Sequence, residues 1–151
     1  MVVKQFVVHP DTATLPALAV CAAQKQNKFR EMEKLIWEKG WPAERPTNLG
    51  KEAMEAFARE LKLNQAKFKE EMDGERCKQQ LVENKNLLTR LGTRGTPGFY
   101  INGRFLAGAV PIDRFKTLID EEIKKADEAL KKGANLQEYY ASIVATGKKS
   151  I

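Results

Sequence analysis

Histidine and cysteine are scarce in this chain of 151 residues: His9 is the only imidazole, and Cys21 and Cys77 are the only two thiols. A tetrahedral zinc site made of Cys and His alone therefore lacks ligands. Neither cysteine has a second one within three residues, so no Cys-X-X-Cys pair is present. No metal site and no cofactor is expected. Long apolar runs are lacking too, and nothing approaches the roughly 20 apolar residues that a membrane-crossing helix needs. The opening "MVVKQFVVHP" does not read as a secretory leader, because Lys4 and Gln5 interrupt its apolar positions too early. Membrane insertion is not expected, and if the protein is exported its signal is not in this sequence. A basic block interleaved with aromatics is the third absence. The net charge of +6 comes from lysines spread among glutamates, as in "EEIKKADEALKK". That pattern describes solvated helix faces, and no nucleic-acid partner is expected.

What remains is an ordinary globular composition, 42% apolar and 30% charged, in a length that suits one domain. Val2 to Val8, rich in β-branched residues and ending before the turn-like "HPDTAT", predicts a strand. Helical spacing follows. Leu18, Ala22, Phe29, Met32, Leu35 and Ile36 predict two short helices stopped at Gly40, and the prolines and glycines of "GWPAERPTNLG" predict a loop. Three more helices are expected over "KEAMEAFARELKL", "NQAKFKEEMDG" and "ERCKQQLVENKNLLTRLG", with Asn64 as an N-cap and Gly92 as a stop. The period changes at Gly95. "GFYINGRFLAG" places two short apolar runs around Asn102-Gly103, a dipeptide suited to the positive φ values of a two-residue hairpin turn. A long helix with Pro111 in its first turn follows, carrying Phe115, Leu118, Ile119, Ile123 and Ala126 as one apolar stripe. A last helix is expected to end at Gly147.

The two cysteines allow one disulfide, though spacing alone does not show that they meet. Cys21 sits among Ala19, Val20 and Ala22 and reads as a small buried residue. Cys77, between Arg76 and Lys78 near a helix start, has surroundings that would favour a thiolate. Buried thiols or a structural bridge are the expected roles of Cys21 and Cys77; a one-cysteine chemistry at Cys77 is the alternative. His9 is expected to be exposed or locally hydrogen-bonded, with a functional role as the alternative, and Trp37 and Trp41 are expected to be packing residues, with substrate platforms as the alternative.

Thr96-Pro97 stands between the last of the five helices and the hairpin. A cis bond there would turn the chain sharply, remove one N–H donor and leave the Thr96 peptide groups facing outward, where an extended chain could pair with them. A trans proline that ends the helix and starts the hairpin is the plainer alternative.

From Leu91 to Ala126, "LGTRGTPGFYINGRFLAGAVPIDRFKTLIDEEIKKA" resembles the C-terminal half of the DsbA-like thiol-disulfide oxidoreductases. The likeness rests on Gly95-Thr96-Pro97, Phe99-Tyr100, the Ile-Asn-Gly-Arg turn, Gly108-Ala109 and the helix from Phe115 to Ile123. "VVKQFVVHP" and "ALAVCAAQKQNKFREMEKLIWE" are similar to the strand before the family's helical insertion and to its first helices. The resemblance implies an α/β, thioredoxin-like fold with an inserted helical domain, here lacking the first strand and the helix with the Cys-X-X-Cys pair. Within a single domain over 1–151 it implies a helical insertion over 12–92, the hairpin and C-terminal helix of the core over 93–131, and an extra helix and tail over 132–151. It further implies a cis bond at Pro97, and Gly95, Thr96 and Pro97 as the surface gripping extended segments of protein substrates. No catalytic residue is assigned, and the expectation is an N-terminally truncated chain inactive alone. A redox-silent peptide-binding module is the alternative. A periplasmic or exported setting is implied, as is a gap in the sheet that either a rearrangement of its two remaining parts or a strand-exchanged homodimer would close.

Overall fold

The structure, a computed structural model, describes residues 1–45, 47–145 and 147. Of the tail expected over 132–151, residues 146 and 148–151 lie outside the described residues. The chain forms two compact units, 1–87 and 88–151.

The first unit is helical: α1 (Pro10–Gln24), α2 (Phe29–Leu35), α3 (Lys51–Glu60), α4 (Gln65–Asp73) and α5 (Glu75–Arg90), whose residues from Leu88 onward count with the second unit. Helix α1 starts at Pro10, where a missing N–H costs nothing, so the expected turn at "HPDTAT" is already helical. α2 runs on through a wide π-type turn, Ile36–Gly40. Asn64 caps α4, its side-chain oxygen accepting from the Lys67 N–H at 2.9 Å. The core draws on all five helices, with Ala19, Ala22, Met32, Met54, Phe57, Phe68 and Met72 among its buried members. Trp41 is half-buried, but Trp37 is 62% exposed and only meets Trp41 edge-on, contrary to the packing role expected of it.

The structure corrects the strand expected over Val2–Val8. A strand exists through its ladder of backbone hydrogen bonds, and no described segment offers this one a partner. Side chains hold it instead: Lys4 Nζ donates to Asn84 Oδ1 at 3.2 Å, and Gln5 Nε2 to the Ala17 carbonyl at 3.0 Å. Val2, Val3 and Val8 stay exposed.

In the second unit, β1 (Gly98–Ile101) and β2 (Arg104–Ala107) pair antiparallel, with Phe99 opposite Leu106 and Tyr100 opposite Phe105. Asn102 and Gly103 take φ values of 47° and 83°, as the sequence predicts for this turn. The long helix α6 (Ile112–Lys131) and α7 (Leu136–Ala145) follow; Pro111 stands just before α6 as its N-cap. Phe99 meets Phe115 edge-on at 4.8 Å, which lays α6 on one face of the hairpin. Tyr100 stacks on Phe105, also at 4.8 Å, on the opposite face. The apolar stripe of α6 divides accordingly: Phe115, Leu118 and Ala126 are half-buried, whereas Ile119 and Ile123 face solvent.

Candidate functional site

The chain reaches the site through a helix stop. α5 ends at Arg90, the Thr93 N–H returns to the Leu88 carbonyl at 2.9 Å, and Gly92 adopts a φ of 88°, which favours glycine. Thr93 is buried, and its hydroxyl lies 2.8 Å from the Tyr100 hydroxyl, which also donates to the Leu91 carbonyl at 2.9 Å. The segment from Leu91 to Thr93 is thus fixed to β1 from below.

Arg94 to Pro97 then crosses from the helix to the strand, and the Thr96–Pro97 peptide is cis. Among the described residues, no partner takes the backbone groups of Gly95 or Thr96. The Pro97 carbonyl is occupied, accepting from the Gly108 N–H at 2.8 Å. Thr96 and Pro97 are exposed. Together with Gly92, Arg94, Phe105 and Ala107, they line a cavity of about 210 Å³ with almost entirely apolar walls. The Phe105 ring packs close on the backbone of Gly98, where a Cβ would stand 3.2 Å from it. Gly95, Thr96 and Pro97, the three residues expected to contact substrate, therefore share one concave surface with two free backbone positions.

Cys21 and Cys77 are bonded to each other, with their Cα atoms 5.9 Å apart. At 1% and 0% exposure, both sulfurs are shut away from solvent, and no free thiol remains in the chain. His9 is exposed at the start of α1, where its carbonyl accepts from the Ala13 N–H at 2.8 Å. No cluster of His, Cys, Asp or Glu among the described residues could hold a metal ion.

Sequence reasoning did not find the polar clasp that sets the hairpin on α6. Glu122, with only 8% of its side chain exposed, accepts from Lys125 at 2.7 Å, from Arg104 at 3.2 Å and from Asn102 at 3.4 Å. The Lys125 bond is the main reason the Glu122 carboxyl sits below its ordinary 4.5; burial pulls the other way, and Arg104 adds to the lowering. The signal was present: Glu122 follows Phe115 and Leu118 on one helical face, an acid where the pattern calls for an apolar residue.

A family model for the DSBA-like thioredoxin domain matches residues 3–120. The chain belongs to this family. No curated protein and no solved structure gives a match. The DSBA-like assignment agrees with a helix-rich α/β chain carrying a small hairpin, and it places the protein in a thiol-disulfide oxidoreductase-type family whose members bind protein substrates. Such domains are typically exported, and among the described residues no helix is long and apolar enough to cross a membrane. The match reaches across both cysteines and the Pro97 surface.

Proposed function

We propose that this chain is the substrate-gripping part of a DsbA-like thiol-disulfide oxidoreductase, binding extended segments of exported proteins at Gly95–Pro97 and carrying no redox centre of its own. One observation carries the reading: the only two sulfurs able to exchange are locked in a buried bridge, while the Pro97 surface is open and has unpaired backbone groups. Disulfide exchange needs an accessible thiolate to attack and a second thiol to resolve the mixed disulfide. A buried bridge supplies neither.

Two measurements test this. In an insulin-reduction assay, the chain is expected to add nothing to the rate given by the dithiol reductant alone; acceleration that vanishes in Cys21→Ser/Cys77→Ser would overturn the assignment. In amide NMR, S-alkylated insulin B chain is expected to shift Gly95, Thr96 and Gly98, and a spectrum with those signals unmoved would defeat the substrate-binding half.

The units read as parts of one domain in this proposal: the helices as the family's insertion, the hairpin and α6 as the core. A strand-exchanged homodimer fits the same picture. Val2 to Val8 has the composition of a strand and no strand partner among the described residues, and the two-stranded sheet leaves backbone groups unpaired at its edges. Size exclusion with light scattering is expected to give the mass of two chains, and a monomer at high concentration would reject the exchange.

A further inference from the structure

The outer edge of β2 pairs with no strand among the described residues, and a concavity lies on each side of it. On the Tyr100–Phe105 face is the apolar cavity beside Pro97. On the α6 face is a second cavity of about 250 Å³, lined by Arg104, Phe105, Leu106, Arg114, Leu118 and Glu121 among others. Phe105 borders both. Each is smaller than the roughly 300 Å³ at which small-molecule sites begin, so each suits one side chain and not a cofactor.

The charges of the second cavity do not cancel. Arg104 is committed, 2.5 Å from Glu121 and 3.2 Å from Glu122. The guanidinium of Arg114 has no partner among the described residues. One unspent positive charge in a cavity whose walls are more polar than apolar suits a single carboxylate, whereas a phosphate dianion would meet the Glu121 carboxylate with too little charge to hold it.

An extended segment added along a strand edge sends successive side chains to opposite faces. We infer that the free edge of β2 takes a substrate segment with an apolar and an acidic residue at neighbouring positions, the apolar one entering beside Pro97 and the acidic one meeting Arg114. This specificity rests on the peptide-binding reading above, and gives it a sequence preference.

The test uses fluorescence anisotropy with two labelled, cysteine-free, strand-forming peptides that differ only in a central Phe-Glu or Phe-Gln. The Phe-Glu peptide is expected to bind about tenfold more tightly at low salt, as a charge-assisted bond supplies, with the ratio narrowing as salt rises. Arg114→Gln is expected to bring the ratio to about one. Equal affinities in the native protein, or a ratio that survives Arg114→Gln, would overturn the acidic preference while leaving peptide binding in place. Binding of neither peptide would overturn both.

Discussion

The double variant Cys21→Ala/Cys77→Ala is expected to lose about 4 kcal/mol of stability in residues 1–87. The bridge closes a loop with a sequence separation of 56. Restriction of the unfolded chain is worth about 3 kcal/mol for a 15-residue loop and about 4.7 kcal/mol for a 100-residue loop. The native state adds a reason for the loss to fall near the full value. α1 packs on α2, α3 and α4, but α5 makes few contacts with any other helix. The covalent bond thus joins Leu81, which packs against the core, in holding α5, and Asn84 with it, to the helical unit. For a unit of this size the loss corresponds to a fall in Tm on the order of 20 °C. Tryptophan emission measures it selectively, because Trp37 and Trp41 are the only two tryptophans and both lie in this unit. A melt indistinguishable from that of the native protein would show that packing alone secures α5. Because both sulfurs are buried, thiol reagents and mild reductants should act only after the unit opens.

Much of the helical unit could be read from the spacing of apolar residues in α2 to α5, whereas α1 is buried on every side from Pro16 to Ala23 and shows no period of its own. The hairpin could be read for a different reason: Asn102-Gly103 has few competing conformations between two apolar runs. Val2 to Val8 failed because β-propensity describes a residue's fit to a sheet, while strand formation depends on a partner elsewhere in the chain. Ile119 and Ile123 misled similarly, since periodicity marks an apolar face without saying what covers it. At the site, the family motif singled out Gly95, Thr96 and Pro97, and their shared cavity depends on Phe105 and Ala107 arriving from β2. No local pattern announces that meeting, nor the approach of Arg114 to β2.

Replacing Glu122 by glutamine is expected to cost residues 88–151 about 2 kcal/mol at neutral pH, the range of a lost charge-assisted hydrogen bond. The larger penalty of stranding a buried ion does not apply, because the side chains of Arg104 and Lys125 are 40% and 58% exposed and return to water when released. The same clasp gives a pH dependence of definite sign. The Glu122 carboxyl is lowered in the folded state, so its contribution is fully present above the ordinary 4.5 and is lost as the pH falls through the folded value. Glutamine resembles the protonated acid, and the stability gap between native protein and variant should therefore be widest near neutrality and close on the acid side. All three tyrosines, Tyr100, Tyr139 and Tyr140, lie in this unit, so near-ultraviolet tyrosine dichroism follows its unfolding. A gap that keeps its size down to acid unfolding would mean that the charge on Glu122 contributes nothing, and that the hairpin is seated on α6 by its other contacts, Phe99 on Phe115 and Arg104 with Glu121.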